Sequence, residues 1–421
     1  MNQEKAIELA LKGHNIFLTG QAGTGKTYTL NKIIDKLEEK GKKVARTAST
    51  GVASTYLDGV TIHSWSGVGI KKSLTLDDKY KIKNNKFSRN KIYFSDVLVI
   101  DEISMLHDYF FDLVEEMCSF IKSPGDVFGK LQVIVCGDFF QLPPVNTGTK
   151  EKNYCFHSKA WEALNFKVCY LDKIYRQKEK DGIVEILNAI RSNNIQKDHI
   201  DVLNSLSLNS KFKDKAINLY CKNVNVDIEN RTMLDSLDGD LSIFRSESGG
   251  NEYKIKILQK NIPVENSLLL KKGAKAMLVV NNFKKDFVNG TICRIIEFDE
   301  ENEIILVETQ DKREIEIEKN KWEIKEFDER TQKNSSVAFI KQYPLKLAWS
   351  LTVHKAQGAS FDYVNLDLKD TFVENLGYVA LSRVTSLDGL YLSGFNEKSL
   401  KIDPVIIEKD KEFIQKSKEN E

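Results

Sequence analysis

Short apolar runs alternate with amphipathic stretches along the first third of the chain. NIFLTG (15–20) is an apolar strand ending in glycine, and Leu30, Ile33, Ile34 and Leu37 then recur at helical spacing. VARTAST (44–50), VLVID (97–101) and LQVIVCGD (131–138) read as further buried strands, each closing on polar residues. Between the last two, 108–121 reads as a helix with Phe110, Phe111, Val114, Met117, Phe120 and Ile121 on its core side. Such alternation predicts a parallel sheet covered on both faces, with ligands at the carboxyl ends of the strands. The second half is less regular. KVCYL (167–171) and KAINLYC (215–221) predict strands, and 182–191 predicts a helix. From 262 to 340 short strands with charged turns suggest a small barrel. LAWSLTVHKAQG (347–358) reads as a long buried strand, followed by the strand YVNLDL, a helix near 375–384 and the strand LYLSG.

Length and composition narrow the class. At roughly 100–200 residues per domain, 421 residues imply two to four domains. Apolar residues make up 41% and charged residues 29%, which suits a globular protein rather than a fibrous or disordered one. No apolar run approaches the roughly 18–20 residues of a membrane helix. The opening MNQEKAIELALKG lacks a secretory leader pattern, and six cysteines without a CxxC pair suggest reduced thiols in the cytosol. Net charge is +1, yet 71–91 holds eight Lys/Arg against two Asp, and 300–330 holds twelve acids against six bases. Either segment reads as a solvated face. For 71–91 a nucleic-acid-facing insertion is the sharper alternative, because clustered cations release counterions from phosphates.

The chemistry gathers at the predicted strand ends. GQAGTGKT (20–27) fits G-x-x-x-x-G-K-[ST] after a strand and before a helix. Gly20, Ala22, Gly23, Thr24 and Gly25 form the turn that lets backbone N–H groups surround phosphates, with Tyr28 just beyond it. Lys26 is placed to neutralise β- and γ-phosphates, and Thr27 to ligate Mg²⁺. VLVIDEISM (97–105) delivers Asp101 as a second Mg²⁺ ligand and Glu102 as the base for an attacking water. In CGDFFQLPPV (136–145) Gln141 could report an intact γ-phosphate, while Phe139 and Phe140 could simply pack under the loop. Arg176 and Arg383, in loop-like settings, are candidate transition-state cations, although a lone loop arginine is commonly an ion-paired surface residue. TASTG (47–51), TIHSW (61–65) and VHKAQG (353–358) offer Thr50, Gly51, His63, Trp65, His354 and Lys355 for phosphate contact or base stacking, with structural roles as the alternative.

Taken together, GHNIFLTGQAGTGKT, TASTGVAS, GVTIHSW, DEISM, GDFFQLPPV, YRQ, LYCKNVNVDIEN, FVNGTICRII, LTVHKAQG and YVALSRVTSLDGL resemble the Pif family of superfamily-one, subfamily-B helicases, over residues 3–391. The resemblance implies two RecA-like domains, an SH3-like insertion at 262–340, and a motor moving 5′→3′ on single-stranded DNA with ATP and Mg²⁺. Its domains would be 1–153, with a small insertion at 65–92 that is a candidate wedge, and 154–261 with 341–421. By position Gln3 matches the adenine-reading glutamine, Arg176 and Arg383 match two γ-phosphate arginines of the second domain, and Gly358 matches backbone closing on the nucleotide. His63, His354, Lys355 and Asn289 match DNA-contacting positions. Implied partners are single-stranded DNA and tailed or forked duplexes, with G-quadruplexes and RNA–DNA hybrids as further candidates and no membrane. A cytosolic monomer without large terminal extensions is expected. Two rivals are a RecD-like subunit of a larger complex and a nucleotide-switched DNA clamp that does not unwind.

Overall fold

The computed structural model describes residues 1–420 except 70, 145–152, 177–181, 209–215, 281, 283–286, 288–289 and 329–332. Two units emerge. Unit 1 comprises Met1–Ile195, Glu374–Ser382 and Leu400–Glu421, and unit 2 comprises Gln196–Val373 and Arg383–Ser399.

Unit 1 is built on strands β1 (Ile16–Gly20), β2 (Val44–Ala48), β3 (Val60–Thr61), β4 (Val97–Asp101), β5 (Gln132–Cys136) and β6 (Lys167–Leu171). They are ordered β3-β2-β4-β5-β1-β6, and every pairing is parallel. β1 and β4 are buried along their whole length, as expected for strands covered on both faces. Helices α1 (Gln3–Leu11) and α2 (Lys26–Glu39) cover one face through Ala6, Leu9, Leu30, Ile33, Ile34 and Leu37. Helix α3 (Asp108–Lys122) buries Phe110, Phe111, Val114 and Met117, as its periodicity predicts. An aromatic cluster fills part of the core, where Phe17 meets Phe139, Trp161 and Phe413 at ring-centroid distances of 5.6, 5.0 and 4.9 Å.

Strand β6 belongs to this sheet, in register with β1 over five residues. Unit 1 therefore extends to Ile195 and takes in two later segments, whereas the sequence places a boundary at 153. The reason is pairing: an apolar strand of five residues carries no label saying which sheet edge it will complete. The basic segment forms two helices, Leu76–Asn84 and Lys86–Phe94, the first opened by a capping box between Thr75 and Asp78. Two of its cations serve α3. Lys79 pairs with Glu116, and Lys83 donates to the Phe120 carbonyl.

Unit 2 holds a four-stranded parallel sheet ordered Ser350–Thr352, Ile217–Tyr220, Val364–Leu368, Leu390–Phe395. It also holds a five-stranded antiparallel sheet ordered Glu314–Ile317, Ile304–Thr309, Ile292–Asp299, Lys275–Leu278, Leu345–Leu347. A three-stranded sheet and a two-stranded sheet, both antiparallel, complete the β-rich part, which starts at Ser242. The long strand expected at 347–358 is not formed. Leu345–Leu347 pairs with Lys275–Leu278, Ser350–Thr352 pairs with Asn218–Tyr220, and the chain then turns. One apolar run thus serves two sheets, which periodicity cannot reveal.

Candidate functional site

The phosphate loop is shaped by what borders it. β1 runs out at Gly20, with φ +144°, where a Cβ would lie 2.4 Å from the Leu171 carbonyl oxygen of β6. Gly25, with φ +79°, holds a backbone conformation that strains any residue with a Cβ, and Gln3 Nε2 lies 2.5 Å from where that Cβ would stand. Gln3 Nε2 itself donates to the Thr24 carbonyl at 3.3 Å, so the amide predicted to read adenine lies against the loop. Lys26 opens α2, and its ammonium donates to the carbonyls of Gly20 (3.0 Å) and Gln21 (2.9 Å). Burial lowers the Lys26 pKa, while the negative charges of Asp138 and Glu102 oppose that shift. An ammonium desolvated against neutral carbonyls is a natural partner for phosphate oxygens. Thr27 and Tyr28 are exposed beside it.

β4 presents the acidic pair. Asp101 is buried, and its Oδ1 accepts the Glu102 amide at 2.8 Å; burial raises its pKa. Glu102 occupies left-handed backbone, φ +52° and ψ +45°. Its carbonyl accepts the Ser49 hydroxyl at 2.8 Å, and the Ser49 amide donates to the Asp101 carbonyl at 3.1 Å. The ends of β2 and β4 are thereby stitched together, holding a conformation that costs about 1–2 kcal/mol for a residue with a Cβ. The hard oxygen donors Thr27 and Asp101 fit Mg²⁺, which keeps water and phosphate as most of its ligands. No cluster of three or more metal-binding side chains occurs among the described residues, and such a site needs none.

After β5, Asp138 sets the turn that carries Gln141. Its Oδ1 accepts the Phe140 amide (3.1 Å), and its carbonyl accepts the Gln141 amide (2.9 Å). Gln141 is buried, and its carbonyl and that of Phe139 each accept Asn375 Nδ2 at 3.2 Å. Phe139 packs in the aromatic core, and Phe140 lies 3.5 Å beneath the Arg191 guanidinium, so both aromatics are structural.

The two arginines fall in different units. Arg176 is in unit 1, where Nη1 donates to the Ser382 carbonyl at 3.0 Å. Arg383 is the first residue of a unit 2 segment, and its Nη1 donates to the Ala359 carbonyl at 3.4 Å. The sequence reading placed both in the second domain.

The candidate nucleic-acid residues divide as well. Trp65 is 3% exposed and cannot stack on a base, which corrects that expectation; its neighbours Ile62 and Ser66 are buried with it in a short helix. His63 is half-buried with one ring face taken by Phe110, 4.0 Å away, and burial lowers its pKa. Thr50 Oγ1 accepts the Ala53 amide at the start of the helix beginning at Gly51. His354, Lys355 and Gly358 (φ +82°) are exposed on the turn after Ser350–Thr352. Asn289 lies outside the described residues.

Sequence reasoning missed several participants. Tyr175, 58% exposed, donates its amide to the Gly23 carbonyl at 2.8 Å, and its ring lies 3.8 Å from where a Gly25 Cβ would stand. Asp138, Tyr175 and Tyr378 all sit inside the quoted motifs but received no role. Arg191 carries no motif signal and reads as an ordinary last-turn cation.

These parts define a nucleoside triphosphatase of the phosphate-loop class on a parallel α/β sheet. The sequence model of the PIF1-like helicase family matches residues 2–201. A curated relative named ATP-dependent DNA helicase Pif1, from Psychrobacter sp., is 36% identical over 98% of this chain and 71% of its own length. Of a relative from Emericella nidulans, 32% identical, the chain spans 60%. Among solved structures, Bacteroides sp. Pif1 in complex with ADP-AlF4 superposes with a TM-score of 0.85 at 26% identity, covering 98% of this chain and 96% of that one. Bacteroides Pif1 bound to ssDNA gives 0.64 at the same identity and coverage. The chain belongs to the PIF1-like helicase family.

Proposed function

We propose that this chain is an ATP-dependent DNA helicase that moves 5′→3′ along single-stranded DNA and displaces the complementary strand. One observation carries the catalytic half: β1, which ends at the phosphate loop, and β4, which ends at Asp101 and Glu102, run parallel in one sheet with only β5 between them, so the phosphate-binding lysine and the acidic pair open on the same sheet edge. The names of the curated relatives and the ssDNA-bound relative support the nucleic-acid half. Polarity rests on family membership alone.

In this reading Lys26 and the loop amides hold the triphosphate, and Gln3 with Tyr175 holds the base. Thr27 and Asp101 would hold Mg²⁺, which would supply positive charge to the phosphate oxygens. Glu102 accepts a proton from the attacking water as the bond from the γ-phosphorus to the ADP oxygen breaks, and Gln141 orients that water. Arg176 and Arg383 neutralise charge on the transferring group. Thr50, Gly51, His63, His354 and Lys355 grip the strand, joined by Asn289. Residues 262–340 are read as an SH3-like insertion, and the small insertion at 65–92 as the element meeting duplex. The protein acts as a monomer.

Strand displacement on matched duplexes with a 5′ or a 3′ tail tests the proposal. Unwinding from the 5′ tail alone is expected; unwinding from the 3′ tail alone would overturn the polarity. DNA-stimulated ATPase without unwinding of either would favour a clamp. Lys26→Ala should abolish ATPase while sparing nucleotide-free DNA binding.

A further inference from the structure

A buried polar network lies beneath the phosphate loop, and its centre is Arg191, the last residue of the helix Ile183–Arg191. The residue is 6% exposed. Its Nη1 donates to both carboxylate oxygens of Asp138, at 3.1 and 2.9 Å, and to the Tyr378 hydroxyl at 3.0 Å. Nη2 donates to the Tyr170 hydroxyl at 3.0 Å and lies 3.7 Å from Asp410. The guanidinium plane covers Phe140.

Tyr378 links this centre to the nucleotide loop. Its hydroxyl accepts the Ala22 amide at 3.3 Å and the Arg191 donor, and donates to Asp138 Oδ2 at 3.4 Å. One proton and two lone pairs are thus all used. Asp138 in turn sets the Gln141 turn. Ala22 and Gln141 are therefore tied through two side chains to one guanidinium. Buried ion pairs of this kind add little stability over apolar packing, and what they can supply is geometry. Nη1 shares its two hydrogens among the Asp138 carboxylate and the Tyr378 hydroxyl while Nη2 reaches the second phenol, a planar spread of donors that a lysine cannot imitate.

We propose that Arg191 is a positioning residue for ATP hydrolysis: with Asp138 and Tyr378 it locks the Gln141 turn to the phosphate loop, so that both meet the nucleotide in one fixed relation. The inference rests on the ATPase reading above. It assigns a role to three side chains that act through the loop and turn they hold.

The test is steady-state ATPase with DNA, together with ADP affinity and melting temperature, on wild type, Tyr378→Phe, Asp138→Asn and the double variant. Tyr378→Phe keeps the ring and removes only the hydroxyl. We expect kcat to fall roughly ten-fold with KM and ADP affinity within about two-fold, measured well below an almost unchanged melting temperature. The double variant should be no slower than Asp138→Asn alone, because residues that act as a unit are not additive. If Asp138→Asn does not fold, Arg191→Lys replaces it in the cycle, with the same expectation. An unchanged kcat in Tyr378→Phe, or losses that multiply in the double variant, would overturn the positioning role. Wild type without ATPase would instead bring down the functional reading, and this inference with it.

Discussion

Glu102 sits on left-handed backbone, anchored by Ser49 at the end of the neighbouring strand, and this fixes the direction in which its Cα–Cβ bond leaves the end of β4. Glu102→Gln keeps the shape and removes the base. Its kcat should fall by about 10²–10⁴, with ATP affinity retained, and a variant with wild-type turnover would remove Glu102 from the chemistry. Trp65 lies in the core rather than on the strand path. Trp65→Ala should cost roughly 3–5 kcal/mol of stability in denaturant titration. Trp65→Phe should leave DNA affinity within two-fold of wild type; a large affinity loss in a stable Trp65→Phe protein would restore the stacking role. Lys355 is the exposed cation of its turn. Lys355→Ala should weaken single-strand binding equally across sequences and reduce the salt slope by about 0.7. An unchanged slope would place Lys355 away from phosphate.

At the scale of elements, strand ends and helix starts carry the site, and their placement depends on neighbours. Gly20 is required by the Leu171 carbonyl of β6, a strand about 150 residues later in the chain. The helix Pro404–Glu419 packs Phe413 against Phe17 and brings Asp410 to Tyr170 and Arg191. Burial raises the Asp410 pKa from 3.8 to about 6, with the Arg191 charge opposing the shift. Between those values the folded chain holds a proton that the unfolded chain has released. Stability from this group is therefore greatest at low pH and falls as pH rises, and the full penalty is present above about pH 6. It amounts to on the order of 2–3 kcal/mol at 1.36 kcal/mol per pH unit. Asp410→Asn should flatten the decline in unit 1 stability between about pH 4 and 6 relative to wild type. Parallel pH profiles would show that the carboxyl is solvated.

On the scale of the whole molecule, what could be read from the chain was local. The phosphate loop, the DE pair, the Gln141 turn and helix α3 follow from residues close in sequence, because a glycine turn, a strand end and a 3.6-residue period are properties of short segments. The family was legible for the same reason, since its motifs are contiguous. Tertiary structure alone decided which strand completes which sheet, as β6 and the split run at 345–352 show. It alone placed Arg176 and Arg383 in different units, buried Trp65, and assembled the Arg191 network from five separate stretches of chain. The physical reason is that pairing and burial are settled by which surfaces meet when the chain folds. An apolar strand or a lone arginine reads the same in the sequence wherever it ends up.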